Sequence, residues 1–421
     1  MRAKFFIHIG MPKTGSTSIQ HTMFENRATL LTWNINYLSL GRNHAGPLMG
    51  LLSDEPHKYT RNIRHRLDTP QKANLHSEVI RQRLIKALSN NRSTKLVISG
   101  EAFSTATPDE IYRLKELLEP FSSGYRIIVY VRDPYEFANS AALQRIKGGA
   151  TFENSEGHIP FPKYRRIRTH IAAFGRDNVD IRIFDRDRFV GNDLMADFLD
   201  ALGEPPEKKN ELKTVSANHS LSHEAAIILS EINDAIPVHK GGYANEQRAA
   251  RIRFIVESIK GTKYICDPAL FLKHEKHVLR ELQWLHEHIG DRVFKQPNPL
   301  PASIPLWSEA TTQSIIELVK AMALQIRELS DLGELTEIKV PGNLEWLRGA
   351  ARPSRQQATI ETSPRVHPNY DLNTIRSLGA FIHEMAFEIE RLEREKTQTP
   401  HRRRSWQQRL LSNRWNMLKM V

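Results

Sequence analysis

Hydrophobic runs divide the first half of the chain into short strands that alternate with amphipathic helices. The predicted strands are apolar runs rich in β-branched and aromatic residues, at 4–9, 95–99, 125–131 and 178–184. The predicted helices have apolar residues spaced by three and four, at 77–88, 108–118, 167–174 and 193–202. This alternation predicts an α/β fold, a three-layer sandwich with a central parallel sheet and helices on both faces.

From residue 222 onward the apolar pattern predicts helices alone. We therefore expect one large domain at 1–340, with its α/β core at about 1–215 and a helical extension at about 216–340. A proline-bearing linker follows at 341–371. Residues 372–396 carry an apolar stripe with alternating spacings of three and four, which predicts an amphipathic helix. Docking of this helix on the domain and pairing with a second copy as a short coiled coil, giving a homodimer, are both open.

Residues 32–75 show no clear period and contain several prolines, so we expect an irregular insertion after the first helix. Long segments in this position often act as lids or help to bind a substrate. His44, within this segment, is a candidate catalytic histidine; a surface or capping histidine is the plainer alternative.

A glycine-bearing loop joins the first predicted strand to a helix that starts near Ser18. Its sequence, Gly10 to Thr17, is typical of loops that hold a phosphate with backbone N–H groups and a helix N-terminus. A Walker A motif would have lysine after its second glycine. Here Ser16 follows Gly15, and Lys13 lies earlier in the loop. This departure disfavours ordinary ATP or GTP hydrolysis.

The strand at 125–131 runs into Arg132 and Asp133, followed by a proline and a predicted helix that contains Ser140. A Walker B strand would end in an aspartate for magnesium, whereas an arginine suits an anion. The alternative is an arginine that only ties the strand end to a carboxylate. Acidic pairs such as Asp185 and Asp187 lack a metal-ligand spacing, so no metal is expected.

Taken together, these segments resemble sulfotransferases that use 3′-phosphoadenosine 5′-phosphosulfate. Residues 12–17 resemble the 5′-phosphosulfate loop of that family, and Arg132 with Ser140 resembles its 3′-phosphate motif. The helix ending in Phe198-Leu-Asp-Ala-Leu-Gly203 also matches the family pattern. The resemblance covers roughly the first 300 residues, and its specific motifs lie within the first 140.

The resemblance implies transfer of a sulfuryl group from that nucleotide to an acceptor hydroxyl. Lys13 would neutralise the bridging oxygen of the donor, and Glu101 at the end of the second strand would be the base. His44 is the alternative base, and a structural ion pair between Glu101 and Lys13 is the alternative role for Glu101. The implied donor-binding residues are Pro12, Lys13, Thr14, Gly15, Ser16, Thr17, Ser18, Arg132 and Ser140. Family analogy suggests a carbohydrate acceptor, either a polysaccharide or a glycolipid.

The amino-acid composition limits the expected binding partners and the expected cellular compartment. The 421 residues include 60 Lys and Arg against 48 Asp and Glu, a net charge of +12 that favours anionic partners. Part of this excess lies in a basic tail at 397–421, which offers a peripheral contact with an anionic membrane. Cys266 is the single cysteine, so no intrachain disulfide forms and a reducing compartment is expected. The absence of a long apolar run and a strand that begins at residue 4 suggest a cytoplasmic protein. Since Golgi sulfotransferases typically start with a membrane anchor, the resemblance then implies a bacterial member of the family.

Two other functions remain as alternatives. A P-loop kinase would need a lysine after Gly15 and an aspartate where Arg132 stands. A non-catalytic protein that binds nucleic acid or membrane would explain the basic tail. No nucleic-acid-binding module is recognisable, so we do not expect a nucleic-acid partner.

Overall fold

The computed structural model describes residues 2–152, 154, 160–214, 220–240, 243–266, 273–290, 294, 307–330, 338–351 and 371–398. The chain divides into two compact units, which we describe separately. The first consists of Met1–Ala138, Phe161–Asn218 and Phe271–Asn298. The second consists of Asn139–Pro160, His219–Leu270 and Pro299–Val421.

The first unit is built on a five-stranded sheet in the order β2-β3-β1-β4-β5, and all its neighbouring strands are parallel. The strands are β1 Ala3–Ile9, β2 Ile35–Tyr37, β3 Lys95–Gly100, β4 Ser122–Val131 and β5 Val179–Ile183. The predicted α/β fold with a central parallel sheet is confirmed. The short edge strand β2 was not expected from the sequence.

Helices cover both faces of this sheet, which makes the three layers. Successive residues of a strand point to opposite faces, so Phe5, Ile7 and Ile9 of β1 join one apolar cluster, whereas Phe6 joins the other. The helices of the first unit are α1 Ser16–Glu25, α2 Arg27–Thr32, α3 Ala45–Leu52, α4 Thr60–Arg64, α5 Pro70–Ser89, α6 Pro108–Leu118, α8 Ile167–Phe174, α9 Leu194–Ala201 and α12 Glu275–Ile289. Helix α7, Pro134–Lys147, begins in the first unit and ends in the second.

The segment 32–75 is not the irregular insertion that the sequence suggested. It contains β2, α3 and α4 and the start of α5. Helix α5 begins at Pro70, where the Thr69 side chain accepts a hydrogen bond from the backbone N–H of Lys72. Proline at the first turn and a threonine cap are ordinary helix-start features. The predicted helix at 77–88 is therefore the second half of a longer one.

The second unit is mainly helical. Its helices are α10 His223–Ala235, α11 Ile252–Val256, α13 Glu309–Ser330, α14 Arg348–Ala351 and α15 Leu372–Gln398. The expectation of helices alone was wrong in one place, because His239–Lys240 pairs with Tyr243–Ala244 as two short antiparallel strands.

Helix α15 packs against α10 and α13 within the second unit. Its apolar stripe is buried there and consists of Ile375, Leu378, Ile382, Met385, Ile389 and Leu392. The side chain of Glu390 accepts hydrogen bonds from the backbone N–H groups of Ala250 and Arg251, and His383 accepts one from Ala249. Of the two interpretations of this helix, the structure shows docking within the chain. A second copy would have to bind a surface other than this stripe.

Several sequence expectations lie outside the described residues. These are the basic tail from residue 399 onward and most of the linker, at 352–370.

Candidate functional site

Three parallel strands end at the same edge of the sheet and bring together the residues singled out in the sequence. Ile9 is paired with Gly100, and the N–H of Gly10 donates to the carbonyl of Gly100 at 3.3 Å. The loop after β1 therefore starts beside Glu101, the residue after β3. Arg132 follows β4, the other neighbour of β1. Ligands of open parallel sheets bind at this carboxyl edge.

Gly10 permits a tight return of the loop onto the strand end. A Cβ atom placed on Gly10 would lie 2.3 Å from Ser16 Oγ and 3.1 Å from Glu101 Cγ. Contacts this short exclude any side chain at that position unless its neighbours move. They also place Ser16 Oγ within 5.4 Å of Glu101 Cγ, the sum of the two distances.

The loop then adopts left-handed backbone at two positions. Lys13 has φ of 66° and Gly15 has φ of 72°. A Cβ on Gly15 would meet Leu194 Cδ2 at 2.5 Å and Phe184 Cε2 at 2.9 Å, so only glycine fits. Gly15 is the N-cap of α1, and no side chain of the described residues caps this helix start. The first N–H groups of α1 thus suit an anion, because they have no helical acceptor.

The hydroxyl groups of the loop differ in their partners. Thr14 Oγ1 donates to the carbonyl of Met11 at 2.6 Å, which ties the loop to itself. Ser16 is buried, and its Oγ has no hydrogen-bond partner among the described residues. A buried hydroxyl without a partner is costly and calls for a ligand or water. Of the remaining predicted loop residues, Pro12 and Thr17 are exposed and Ser18 is half-buried.

Arg132 contacts the loop directly. Its Nη1 donates to the backbone carbonyl of Lys13 at 3.1 Å, and its Nη2 forms a 2.9 Å ion pair with Glu136 one helical turn later. The guanidinium carbon lies 5.4 Å from the ring centre of Phe184. The hydroxyl of the buried Tyr164 donates to the backbone carbonyl of Arg132. Arg132 therefore ties the strand end to a carboxylate and also lies against the loop, whereas its role in binding an anion stays a prediction.

Glu101 is half-buried beside the same loop. Burial raises the pKa of its carboxyl group, and the positive charge of Lys13 acts in the opposite direction. A carboxylate with a raised pKa next to a cation is a recurrent feature of catalytic sites. A simple structural ion pair would instead lower the pKa. The assignment of Glu101 as the base stays a prediction.

The structure gives His44 surroundings that do not suit a catalytic base. The residue is fully buried, its Nδ1 accepts the N–H of Ser99 at 2.9 Å, and its Nε2 donates to the carbonyl of Leu38 at 2.7 Å. Burial lowers the pKa of His44 to about 4. The backbone N–H of His44 also donates to the carbonyl of Ser99. His44 thus forms hydrogen bonds with both the backbone N–H and the backbone carbonyl of Ser99, near the end of β3. Neither ring nitrogen is available for a substrate.

Ser140 lies on α7 in the part that belongs to the second unit, and it is half-buried. The structure brings Lys13, Glu101 and Arg132 together in the first unit. The assignment of Ser140 to the donor site stays a prediction from the sequence motif.

The sequence analysis missed two side chains that shape the site, Phe184 and Glu136. Phe184 follows β5 and lies between Gly15 and Arg132. Its place after a strand in the sheet could have indicated it. Glu136 four residues after Arg132 has the spacing of a helical ion pair.

Across the described residues, no three His, Cys, Asp or Glu side chains are grouped as metal ligands, and no helix is long and apolar enough to cross a membrane.

No protein-family model matches this sequence. A curated protein of Archaeoglobus fulgidus, itself uncharacterised, is 28% identical to the chain over 142 residues. The match covers 34% of this chain and 39% of that relative, so the chain aligns with well under half of the relative's length.

Two solved structures resemble this chain. A sulfotransferase from Alicyclobacillus acidocaldarius has a TM-score of 0.35 and 14% identity, over 69% of this chain and 97% of the other. The sulfotransferase domain of the curacin biosynthetic pathway has a TM-score of 0.29 and 13% identity, over 76% of this chain and 98% of the other. At these TM-scores neither neighbour defines the family or the activity of this chain.

Proposed function

We propose that this protein is a sulfotransferase that moves a sulfuryl group from 3′-phosphoadenosine 5′-phosphosulfate to a hydroxyl of a carbohydrate acceptor. The observation that carries the proposal is the contact between the Arg132 guanidinium and the Lys13 carbonyl. It joins two candidate anion-binding groups at one edge of the sheet, one in the loop after β1 and the other at the end of the neighbouring strand β4. A nucleotide with phosphates at both ends of its ribose would engage both groups.

The loop supports binding of the donor's 5′ end. Among the described residues, no side chain caps the start of α1 and the buried Ser16 hydroxyl has no hydrogen-bond partner. Lys13 adds a positive charge in the same loop. Arg132, with Ser140, would take the 3′-phosphate, because a guanidinium matches a phosphate with two parallel hydrogen bonds. This arrangement disfavours the kinase alternative, which needs a carboxylate for magnesium where Arg132 stands.

The proposed reaction breaks the bond between sulfur and the bridging phosphate oxygen and forms a bond from sulfur to the acceptor oxygen. The acceptor proton passes to Glu101, which must be ionised to receive it. The leaving 5′-phosphate keeps the electron pair of the broken bond, and Lys13 balances the negative charge that develops there. The raised pKa of Glu101 supports its role as the proton acceptor.

Nucleotide affinity tests this proposal on the full chain. We expect calorimetry to show that 3′-phosphoadenosine 5′-phosphate binds at least tenfold more tightly than ATP, a difference of about 1.4 kcal/mol. Arg132→Gln should remove most of that preference. Arg126→Gln is a matched control, because Arg126 lies on the same strand and pairs with Asp180.

Transfer itself is followed with sulfur-labelled donor and a panel of neutral and acidic bacterial glycans. Lys13→Ala should abolish transfer while the melting temperature is retained, because alanine is no more strained than lysine at the same positive φ. A preference for ATP would overturn the proposal. Failure to bind any nucleotide would favour the non-catalytic alternative.

A further inference from the structure

A buried hydroxyl group holds the backbone carbonyl of Arg132. Tyr164, in the short turn Tyr164–Arg166 before α8, donates this hydrogen bond. The ring of Tyr164 is buried in the apolar cluster on one face of the sheet. A buried tyrosine hydroxyl needs a hydrogen-bond partner, whereas a phenylalanine at the same place would need none. The hydroxyl group therefore fixes the end of β4, and the ring packs in the core.

The hydroxyl of Tyr164 keeps its proton and so remains a donor. Burial raises the pKa of Tyr164 well above its ordinary value, and the negative charges of Asp133 and Glu281 raise it further. A carbonyl oxygen only accepts hydrogen bonds, so the contact with Arg132 requires this protonated form. The contact consequently persists at any pH near neutrality.

The residue after Arg132 fixes the same turn from its other side. Asp133 caps the start of α7, because its Oδ1 accepts the backbone N–H groups of Tyr135 and Glu136, both at 2.9 Å. Together with the Tyr164 contact, this cap holds the backbone between β4 and α7. The direction in which the Arg132 side chain leaves the backbone is thereby set, and its guanidinium reaches the phosphate loop and Glu136.

Glu281 of α12 holds the turn that carries Tyr164. Its carboxylate accepts the backbone N–H of Arg165 at 3.0 Å and the Arg165 Nε at 2.8 Å. The Glu281 side chain is 3% exposed, and solvent screens such contacts less than those on the surface. Trp284 and Leu285 of the same helix are buried in the cluster that contains Tyr164. A helix anchored in the core is thus hydrogen-bonded to the residue next to Tyr164.

We propose that Tyr164 and Glu281 are positioning residues, which direct the Arg132 guanidinium and thereby set the selectivity of the donor site for a 3′-phosphate. Tyr164 acts on the Arg132 backbone, and Glu281 acts through Arg165. This inference rests on the proposed function and adds two residues that act on Arg132 and not on the donor itself. A guanidinium holds a phosphate by two aligned hydrogen bonds, so a small rotation of the Arg132 backbone weakens the grip.

Two ligands that differ only in the 3′-phosphate measure this selectivity on the full chain, namely 3′-phosphoadenosine 5′-phosphate and adenosine 5′-phosphate. The ratio of their dissociation constants isolates the contribution of the 3′-phosphate. We expect Tyr164→Phe, which removes only the hydroxyl group, to lower this ratio about fivefold through weaker binding of the bisphosphate. Affinity for adenosine 5′-phosphate should change less than about twofold.

A combined variant tests whether the effect passes through the Arg132 side chain. Arg132→Gln alone should remove most of the preference for the bisphosphate. Adding Tyr164→Phe to Arg132→Gln should then change the ratio less than about twofold, because the side chain that Tyr164 directs is already lost. A further fivefold fall in the double variant would show that Tyr164 acts by another route and would overturn the inference.

Tyr37→Phe is the matched control for Tyr164→Phe. Tyr37 is also buried, and its hydroxyl also donates to a backbone carbonyl, that of Arg42. Both phenylalanine variants should lose stability to a similar extent, because each loses one buried hydrogen bond. Only Tyr164→Phe should lower the ratio, which a purely structural role would leave in place.

Glu281→Gln provides a second variant at the far end of the series of contacts. It keeps the shape of the side chain but removes the charge that binds Arg165, so the ratio should fall about two- to threefold. Glu287→Gln is its control, since Glu287 is exposed on the same helix and accepts a hydrogen bond from Gln283. This control should leave the ratio unchanged.

An unchanged ratio in Tyr164→Phe would overturn the inference, as would an equal fall in Tyr37→Phe. Equal affinities of the wild type for the two nucleotides would refute the proposed donor, and denaturation without ligand would then decide the positioning role. The midpoint shifts of Tyr164→Phe and Arg132→Gln should sum to more than the shift of the double variant, because Tyr164 orients Arg132 towards its partners in the protein. Additive shifts would refute the positioning role as well.

Discussion

The guanidinium of Arg132 donates a hydrogen bond to the backbone carbonyl of Lys13 although the two residues are 119 positions apart. The parallel sheet makes this contact, because β1 and β4 are neighbours and both residues follow their strands. Arg132 thereby fixes the loop at the residue that carries the catalytic charge in our proposal. Donor binding and loop geometry are consequently linked through one side chain.

Ser16 provides a test that separates binding from stability. Its hydroxyl is buried and has no partner in the part of the chain that the structure describes, so Ser16→Ala removes no hydrogen bond there. We expect the free energy of unfolding without ligand to stay constant or rise by about 1 kcal/mol, because an unsatisfied polar group is removed. Affinity for 3′-phosphoadenosine 5′-phosphate should fall about tenfold, corresponding to one hydrogen bond to a charged group. Calorimetry and chemical denaturation give the two values.

Thr14→Ala is the matched control for Ser16→Ala, since the Thr14 hydroxyl donates within the loop to Met11. That variant should lose stability. If Ser16→Ala lost stability to the same extent as Thr14→Ala, the Ser16 hydroxyl would have a partner inside the protein and would not be reserved for a ligand.

The sheet could be predicted from the sequence because buried parallel strands are nearly continuous apolar runs. The four longest strands stand out in this way. β2 has three residues and α4 has five, too few to establish a period, so the segment at 32–75 was misinterpreted. The start of α5 could have been found, since Thr69 and Pro70 form a recognisable helix start.

The candidate site was only partly predictable for a physical reason. Residues that follow parallel strands lie at one edge of the sheet whatever their type. The predicted strands were therefore enough to select Lys13, Glu101 and Arg132. The role of His44 depends on which backbone groups its two nitrogens meet, and spacing along the chain does not contain that information. The position of Phe184 under Arg132 likewise depends on packing between β5 and the loop.

In the proposed donor site, Glu136 would compete with the nucleotide for Arg132. Their ion pair is partly exposed, and such pairs contribute about 0.2–1 kcal/mol. We therefore expect Glu136→Gln to bind 3′-phosphoadenosine 5′-phosphate two- to fivefold more tightly, because the guanidinium is released for the phosphate and a nearby negative charge is removed. Affinity for ATP, which lacks the 3′-phosphate, should change less. Weaker binding of the bisphosphate by this variant would show that Glu136 orients Arg132 instead of competing for it.

His44 should matter for stability and not for proton transfer. Because its pKa is lowered to about 4 from the ordinary 6.5, the folded protein favours the neutral ring. The stability that this residue contributes is fully present above pH 6.5 and is lost as the pH falls towards 4. The loss amounts to at most about 3 kcal/mol from this residue. His44→Ala should lower the free energy of unfolding by about 2–4 kcal/mol at pH 7 through the lost hydrogen bonds and the cavity.

The difference in stability between wild type and His44→Ala should shrink as the pH falls from 6.5 to 4, as denaturation at several pH values would show. Comparing the two proteins removes the parallel contribution of the buried His8, whose pKa burial also lowers. In the folded variant the pH profile of transfer should keep its shape. If the acid limb of the pH profile of transfer shifted in His44→Ala, His44 would again be a candidate base.

The Glu101→Gln substitution should have opposite effects on stability and on turnover. The pKa of the Glu101 carboxyl group is raised by burial, so the folded protein favours the protonated form. The contribution of this group to stability is complete below its unfolded value near 4.5 and is lost as the pH rises through the folded pKa. Glu101→Gln should therefore raise the melting temperature at pH 7 and have little effect below pH 4. The same variant should lower turnover at least a hundredfold, the usual contribution of a general base, and leave donor affinity within twofold.

Lys13 provides the second arm of the Glu101 experiment, because its charge opposes the raised pKa of Glu101. Lys13→Gln should raise the pKa of the Glu101 carboxyl further, which infrared difference spectra across pH would report directly without any need for turnover. Lys72→Gln, at an exposed lysine paired with Asp68, is the matched loss of charge and should leave that pKa in place. A Glu101 pKa that fell or stayed constant in Lys13→Gln would mean that the lysine does not act on the carboxylate. Proton acceptance at Glu101 and charge balance at Lys13 would then be independent, and the two residues would not form a single reaction centre.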